Sequence, residues 1–429
     1  MSRSPAGALL RPVLCLSLLG LLAACGGGGG GGSSTTASSS GPSLTSLSDY
    51  AASSKSSSSA ASVASSSLAS FTQAANTLTT EALYEKAQSS SASNDFIVTS
   101  PVTLSTLSLL GTAAQGSSAD EFTTLEARFG PRAQWANLLR SALQNAGIQR
   151  TLGAESTTRM APAFLEASRN VASWSALDYI FTSNIHTRLS VRDELNISYS
   201  LASAENFSGV YALGNNRYQV PLLRWTTGVQ RLSDSDYSAD RMDLADGMHR
   251  LISIRPSSGN LASFSKARLA QIIESAQKSS SGLSASSLVL PKRYFSFAIN
   301  DSGLNATVST GLSKIFDQTQ ANLAGFDPRG GHYAQLDGFM ASLSLTGSDL
   351  LLETRQQYSF IASPYSTSTS GVNVTVDNWP GFTCYPASQT VDLGPQLLLV
   401  TNRNTGLIVA AMHLYSPPDG TWLGDHVCP

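Results

Sequence analysis

The chain is short of charge. Only 13% of its 429 residues are Asp, Glu, Lys or Arg, against ~25% in an ordinary soluble domain. Basic residues number 27 and acidic ones 29, so no cationic surplus exists to hold a phosphate backbone, and nucleic acid is excluded as a partner. Cysteine is scarce, with four in the chain. Cys384 and Cys428 lie far apart with only His426 near either, which makes no zinc set. The five histidines are scattered. There is no Gly-x-Ser-x-Gly elbow, phosphate loop, His-Glu-x-x-His pair or dinucleotide fingerprint. These gaps argue against an enzyme, and no catalytic residue, metal or cofactor is expected. The apolar run from Val13 to Leu22 is too short to span a membrane, which takes ~20 residues.

What is present begins at the N-terminus. Arg3 and Arg11 precede that apolar run, as in an export signal. The run ends in Leu22-Ala23-Ala24-Cys25, which is similar to a bacterial lipobox. Residues 1–24 are then a cleaved signal peptide and Cys25 carries a diacylglycerol. Gly26 after the cysteine implies the outer membrane, with the protein facing the periplasm or the surface. Residues 25–70 are Gly- and Ser-rich and cannot bury enough apolar area to offset their ordering entropy. They read as a tether reaching roughly 35–40 Å from the membrane. In that oxidising compartment Cys384 and Cys428 are expected to form a disulfide.

Residues 71–429 read as a single folded domain. Phe71, Ala74, Ala75, Leu78, Ala82 and Leu83 recur at helical spacing. Phe96 to Val98 predicts a strand. Ser100 is expected to cap a second helix opened by Pro101, and Asp120 to Phe129 a third, closed by Gly130. Arg217 to Trp225 alternates as a strand, Leu251 to Ile254 follows, and Leu261 to Ala276 is helical. Strands then dominate: 288–290, 294–299, 341–345, 350–361, 396–401 and 407–414. Helices first and strands later predict an α+β domain. Ser263-Phe264-Ser265-Lys266 has the Ser-x-x-Lys spacing of penicillin-binding enzymes, but without a Lys-Thr-Gly partner it reads as helix surface.

Several segments, in order, resemble the serpin family: Asn94 to Pro101 with Thr103, Leu104, Leu109, Gly111, Ala113 and Gly116; Val220 to Leu223; Leu290-Pro291-Lys292; Gly311 to Phe316; Ala321 to Gly325; and Gln396 to Tyr415. The resemblance implies helices packed on a large mixed or antiparallel sheet, smaller accompanying sheets and an exposed loop. It also implies a serine or cysteine protease inhibitor, acting as a monomer. In that mechanism a protease cuts the loop, which inserts into the main sheet with the acyl-linked enzyme attached.

Three departures stand out. The hinge, expected to hold small residues, begins at Gly347 and runs through Asp349, Leu350, Leu352, Glu353 and Arg355. Inserting it is expected to bury or crowd large groups, which argues against trapping. Residues 346–390 are longer than the family's loop, and 158–220 look too short for a sheet-capping helix and the strand after it. However, Leu350, Leu352, Thr354, Gln356, Tyr358 and Phe360 alternate with more polar residues, the pattern of a half-buried strand. The hinge is therefore expected to sit in the sheet already. Alignment on Pro395 puts the bait bond near Phe382 to Tyr385, and Trp379, Phe382, Cys384 and Tyr385 form a candidate bait or binding group. Two functions stay open: protease inhibition, and a non-inhibitory binding or structural protein on the same fold. The partner is a protease or another protein in either case, and the lipid on Cys25 supplies the membrane.

Overall fold

A computed structural model describes residues 45–46, 63–88, 94–114, 116–144, 147–155, 159–160, 164, 172–174, 179–181, 187–202, 204–299, 333–346, 348–361, 373–375, 392–417 and 421–422. All of them belong to the second of two units, Pro42–Pro429.

The helices come first. They are α1 (Ser65–Gln88), α2 (Ser100–Ala113), α3 (Gly116–Phe129) and α4 (Trp135–Leu143); α5 (Lys266–Lys278) follows much later. The first begins at Ser65, ahead of the Phe71 at which the sequence places the start of the domain. Thr45–Ser46 also pairs with Arg159–Met160. The expected cap of α2 is corrected: Thr99 occupies the capping position without a side-chain cap bond, and its hydroxyl donates to the Val409 carbonyl at 3.0 Å. Pro101 lies in the first turn as expected. Gly130 closes α3 with φ +79°, where a side chain would be strained. Gly111 is small for a different reason, since a Cβ there would meet the Phe122 ring at 3.2 Å.

The strands are β1 (Phe96–Val98), β2 (Ile148–Glu155), β3 (Thr187–Ser200), β4 (Glu205–Leu213) and β5 (Asn216–Trp225). Next come β6 (Val229–Ser233), β7 (Tyr237–Asp243), β8 (His249–Pro256) and β9 (Leu288–Pro291). The last are β10 (Arg293–Ile299), β11 (Tyr333–Leu345), β12 (Asp349–Ile361), β13 (Gln396–Asn402) and β14 (Ile408–Leu414). They form three sheets. The 8-stranded one runs Asn373–Thr375, β10, β11, β12, β3, β2, Ala172–Trp174, with Tyr179–Phe181 also on β2. A 7-stranded sheet runs Ser284–Ala285, β6, β7, β8, β13, β14, β1, and a 5-stranded one is built on β9, β5 and β4. The large sheet is mixed, because the two short strands beside β2 are parallel to it and the rest are antiparallel. One expected departure is corrected in part. The strand after residue 158 is present as the 14-residue β3; most residues between β2 and β3, where the sheet-capping helix was expected to lack room, lie outside the described residues.

The core lies between the helices and the large sheet. Helix α2 is buried at almost every position, and it packs against β3, β12 and β14. Trp135 of α4 is closed in by Phe122 and Phe129. The β13–β14 hairpin is buried throughout. Asn76 of α1 fastens it, donating to the Gly406 carbonyl and accepting from the Ile408 amide, both at 2.8 Å.

His413 on β14 is buried against Phe96 and Tyr415, with a ring nitrogen 3.3 Å from the Asn94 carbonyl. Burial pushes its pKa down to about 4, overriding the contrary pull of that carbonyl. An unfolded histidine titrates near ~6.5. The unfolded chain therefore binds the extra proton first, and the stability that neutral His413 contributes is complete above about 6.5. It is lost as pH falls towards 4. Urea unfolding between pH 7 and pH 5 is expected to show this loss, of up to about one proton in slope, and His413→Gln to flatten the profile. An unchanged slope in the variant would show that His413 is not buried in its neutral form.

Candidate functional site

The residues that the sequence assigns to a hinge lie in β12. This strand occupies the middle of the large sheet, hydrogen-bonded on both sides. Leu350 stands opposite Leu345 of β11 and Tyr199 of β3; Leu352 opposite Leu343 and Ile197; Thr354 opposite Ala341 and Leu195. The chain reverses tightly between β11 and β12. The Thr346 amide donates to the Asp349 carbonyl at 2.9 Å, and the Asp349 amide to the Thr346 hydroxyl at 3.0 Å. The Leu201 amide donates to the Ser348 carbonyl at 2.6 Å, which ties the same turn to the end of β3.

The alternation in the sequence becomes two faces. Leu350, Leu352, Thr354 and Gln356 are buried against the helix side, the first three fully. A buried leucine of this kind contributes about 1.5–3 kcal/mol. Leu351 is 42% exposed, Glu353 is exposed and Arg355 is half-buried. On this outer face the Ser342 hydroxyl donates to Glu353 at 3.2 Å, and Arg355 lies 4.0 Å from Glu194. Such surface pairs contribute little, about 0–1 kcal/mol. The expectation that insertion would bury large hinge groups holds for Leu350 and Leu352 and is corrected for Glu353 and Arg355, which stay on the outer face. The leucines that point inward meet an apolar layer, and the charged groups point outward. The expectation that the hinge already sits in the sheet holds.

Beneath β12 lies a charged cluster. Asp193 of β3 is the register partner of both Gln356 of β12 and Arg150 of β2. Arg150 and Asp193 are wholly buried and bind each other through two bonds, Nε to Oδ1 at 2.6 Å and Nη2 to Oδ2 at 2.7 Å. Helix α2 completes the cluster. The hydroxyls of Ser105 and Thr106 donate to Asp193 Oδ2 at 2.8 and 2.9 Å, and Arg150 Nη2 donates to the Ser105 carbonyl at 2.8 Å. The large sheet is thus pinned to α2 two strands away from β11. Where β3 ends, Tyr199 packs on His249 of the 7-stranded sheet at 4.9 Å between ring centroids. Burial, with the Asp246 charge adding to it, keeps the Tyr199 phenol protonated far above its ordinary range.

Of the sequence-assigned residues, Asp349, Leu350, Leu352, Glu353 and Arg355 come together on this strand. Cys25, Gly347, Trp379, Phe382, Cys384, Tyr385 and Cys428 lie outside the described residues. Sequence reasoning missed Arg150 and Asp193. Both stand in phase with the apolar positions of their strands, Ile148 and Leu152 in β2 and Val191 and Leu195 in β3. A charge on the buried phase of a strand is a legible signal of a buried pair.

No family model matches the sequence, and no curated protein matches it. Solved structures do match. A loop-inserted, cleaved ovalbumin mutant is 12% identical, with a TM-score of 0.63 over 81% of this chain and 100% of its own. Human glycosylated kallistatin is 12% identical, with a TM-score of 0.60 over 81% and 99%. A thermophilic serpin, tengpin, in its latent state is 11% identical, with a TM-score of 0.56 over 80% and 98%. The chain has the serpin fold.

Proposed function

We propose that this chain is an exported, lipid-anchored serpin-fold protein that binds a protease or another protein through residues 362–391 and does not trap it covalently. One observation carries the reading: β12 fills the slot between β11 and β3 in an uncut chain. Trapping needs a segment that becomes a strand only after cleavage. Here the strand is in place beforehand, so a cut beyond Ile361 releases no new one. The length of the chain supports this. Residues 362–391 are more than twice as long as the 13-residue β12 and can reach ~100 Å when extended. That is ample for β12 to insert fully while Asp392–Leu393 keeps its pairing with β4. Within this reading Cys25 anchors the protein to the outer membrane and Cys384–Cys428 tethers the returning chain. Trp379, Phe382 and Tyr385 supply the apolar contact, and the protein acts as a monomer.

Covalent inhibition is the second reading, and the fit of β12 favours it. The strand buries no unpaired charge, so a form with β12 expelled would gain stability by taking it in. A panel of serine proteases, run with the protein on a denaturing gel, separates the two. Clean cleavage between residues 362 and 391 with no stable complex is expected. The melting midpoint after the cut is expected to move by no more than roughly 2–4 °C, the shift that ~1 kcal/mol makes in a large domain. A denaturant-resistant complex, or a large rise in midpoint, would establish trapping instead.

A further inference from the structure

The N-terminal segment meets the domain earlier than its composition predicts. From Gly26 to Ser43 the chain holds only Gly, Ser, Thr, Ala37 and Pro42. Leu44-Thr45-Ser46-Leu47 is the first run after Cys25 with large apolar side chains. At that run the chain pairs: Thr45 stands opposite Met160 and Ser46 opposite Arg159, antiparallel. The compact unit begins at the same place, at Pro42 and not at residue 71. An extended segment that pairs with a strand far along the chain docks by strand addition, held by main-chain hydrogen bonds.

The docking point lies at a defined end of the large sheet. Strand β2 is antiparallel to β3, and β3 to β12, so β2 and β12 run the same way. Ala154 of β2 stands opposite Leu189 of β3, and Leu189 opposite Phe360 of β12. Strand β2 therefore finishes at the end of the sheet where β12 finishes and residues 362–391 leave. Arg159 follows Glu155, the last residue of β2, by four positions and so lies within ~14 Å of it. The β11–β12 turn is at the opposite end, roughly 40 Å away along the 13-residue β12. The docked strand also shortens the tether. Residues 26–44 separate Cys25 from Thr45 and reach roughly 22–26 Å on average, in place of the roughly 35–40 Å of a tether running to residue 70. That reach is shorter than β12, so the end that bears the docked strand stays nearer the lipid than the β11–β12 turn does.

We propose that the N-terminal segment docks as a strand on Arg159–Met160 and thereby turns the end of the large sheet from which residues 362–391 leave toward the lipid surface. The orientation rests on the reading that Cys25 carries lipid; the docked strand does not. Docking is tested with Ser46→Cys/Arg159→Cys in the full chain. Directly opposed residues of an antiparallel pair lie ~4.5–5.5 Å apart at Cα, within disulfide reach. Mild oxidation followed by peptide mass spectrometry is expected to show the 46–159 link. Its yield should exceed that of Ser46→Cys/Ser348→Cys on the order of tenfold or more, because pairing raises the effective concentration of the two thiols and Ser348 lies exposed in the turn at the opposite end. Equal yields, or no link at 159, overturn the docking. Orientation is tested with the lipidated chain on vesicles of phosphatidylethanolamine and phosphatidylglycerol that include a photoreactive headgroup. Crosslinks are expected to concentrate in peptides holding residues 150–160 over those holding 345–352. Even labelling overturns the orientation, with the 46–159 link then establishing the docked strand alone. A chain that does not bind the vesicles overturns the lipid on Cys25 and the orientation together, and the 46–159 link still decides the docking.

Discussion

Asp193→Ala is expected to cost about 3–5 kcal/mol of unfolding free energy, the usual result of removing one partner of a buried ion pair. The cost comes less from the lost bonds than from what is left behind. Arg150 is wholly buried, and the variant removes the carboxylate that accepts two of its guanidinium bonds at a buried position where lost charge pairing is costly. The Ser105 hydroxyl loses its Asp193 acceptor as well, while Thr106 retains the Val102 carbonyl at 3.3 Å. Arg150→Met is expected to cost a similar amount by the mirror argument, stranding the carboxylate. The double variant Arg150→Met/Asp193→Leu tests the mechanism. With both charges gone the desolvation penalty also goes, so its loss should be clearly smaller than the sum of the two singles. Urea unfolding of the four proteins reads the coupling directly. Additive losses would mean that the two groups do not act as a pair. A loss under ~1 kcal/mol for Asp193→Ala would mean that water reaches the cluster.

The position of this pair gives it a role beyond stability. Asp193 stands beside β12 in the register of the sheet, and α2 holds it from below. Any movement that opens the slot for β12 must carry β3 away from β11. Because β3 is bonded to α2 and β2 through Asp193, that movement would drag the buried charge network with it or break it. The pair therefore ties β3, β2 and α2 together as one flank of the slot.

Much of this was legible in the sequence, for reasons that are local. The alternation of Leu350, Leu352, Thr354 and Gln356 against Leu351, Glu353 and Arg355 fixed both the strand and its buried face, because side chains of a strand point alternately to opposite sides. The β13–β14 hairpin was equally readable, since both its strands are apolar throughout and Gly406 turns between them at φ +77°. What a run of residues does not carry is which strands lie beside it. The judgement that large hinge groups obstruct insertion treated Leu350, Glu353 and Arg355 as one set, when the sheet sends them to opposite faces.

The two faces of β12 lead to the other large effect. Leu352→Ala is expected to cost about 2–5 kcal/mol, the range for a fully buried leucine whose site cannot collapse. Leu352 is 0% exposed and lies between Leu343 and Ile197 in the register of the sheet, so the missing methyl groups leave a gap bounded by strands. Leu351→Ala, one residue away on the outer face, should stay within ~0.5 kcal/mol of the parent. A slip of one residue along β12 would exchange the two results, because it moves every side chain to the opposite face. A third outcome bears on function. If β12 stood outside the sheet in the native protein, as a trap awaiting cleavage requires, Leu352 would lie in solvent and its loss would be as mild as that of Leu351. Equal and small effects before protease treatment, with a large Leu352→Ala effect appearing only afterwards, would overturn the filled slot and restore the spring. The expected result is a large difference between the neighbours in the uncut chain, unchanged by cutting between residues 362 and 391.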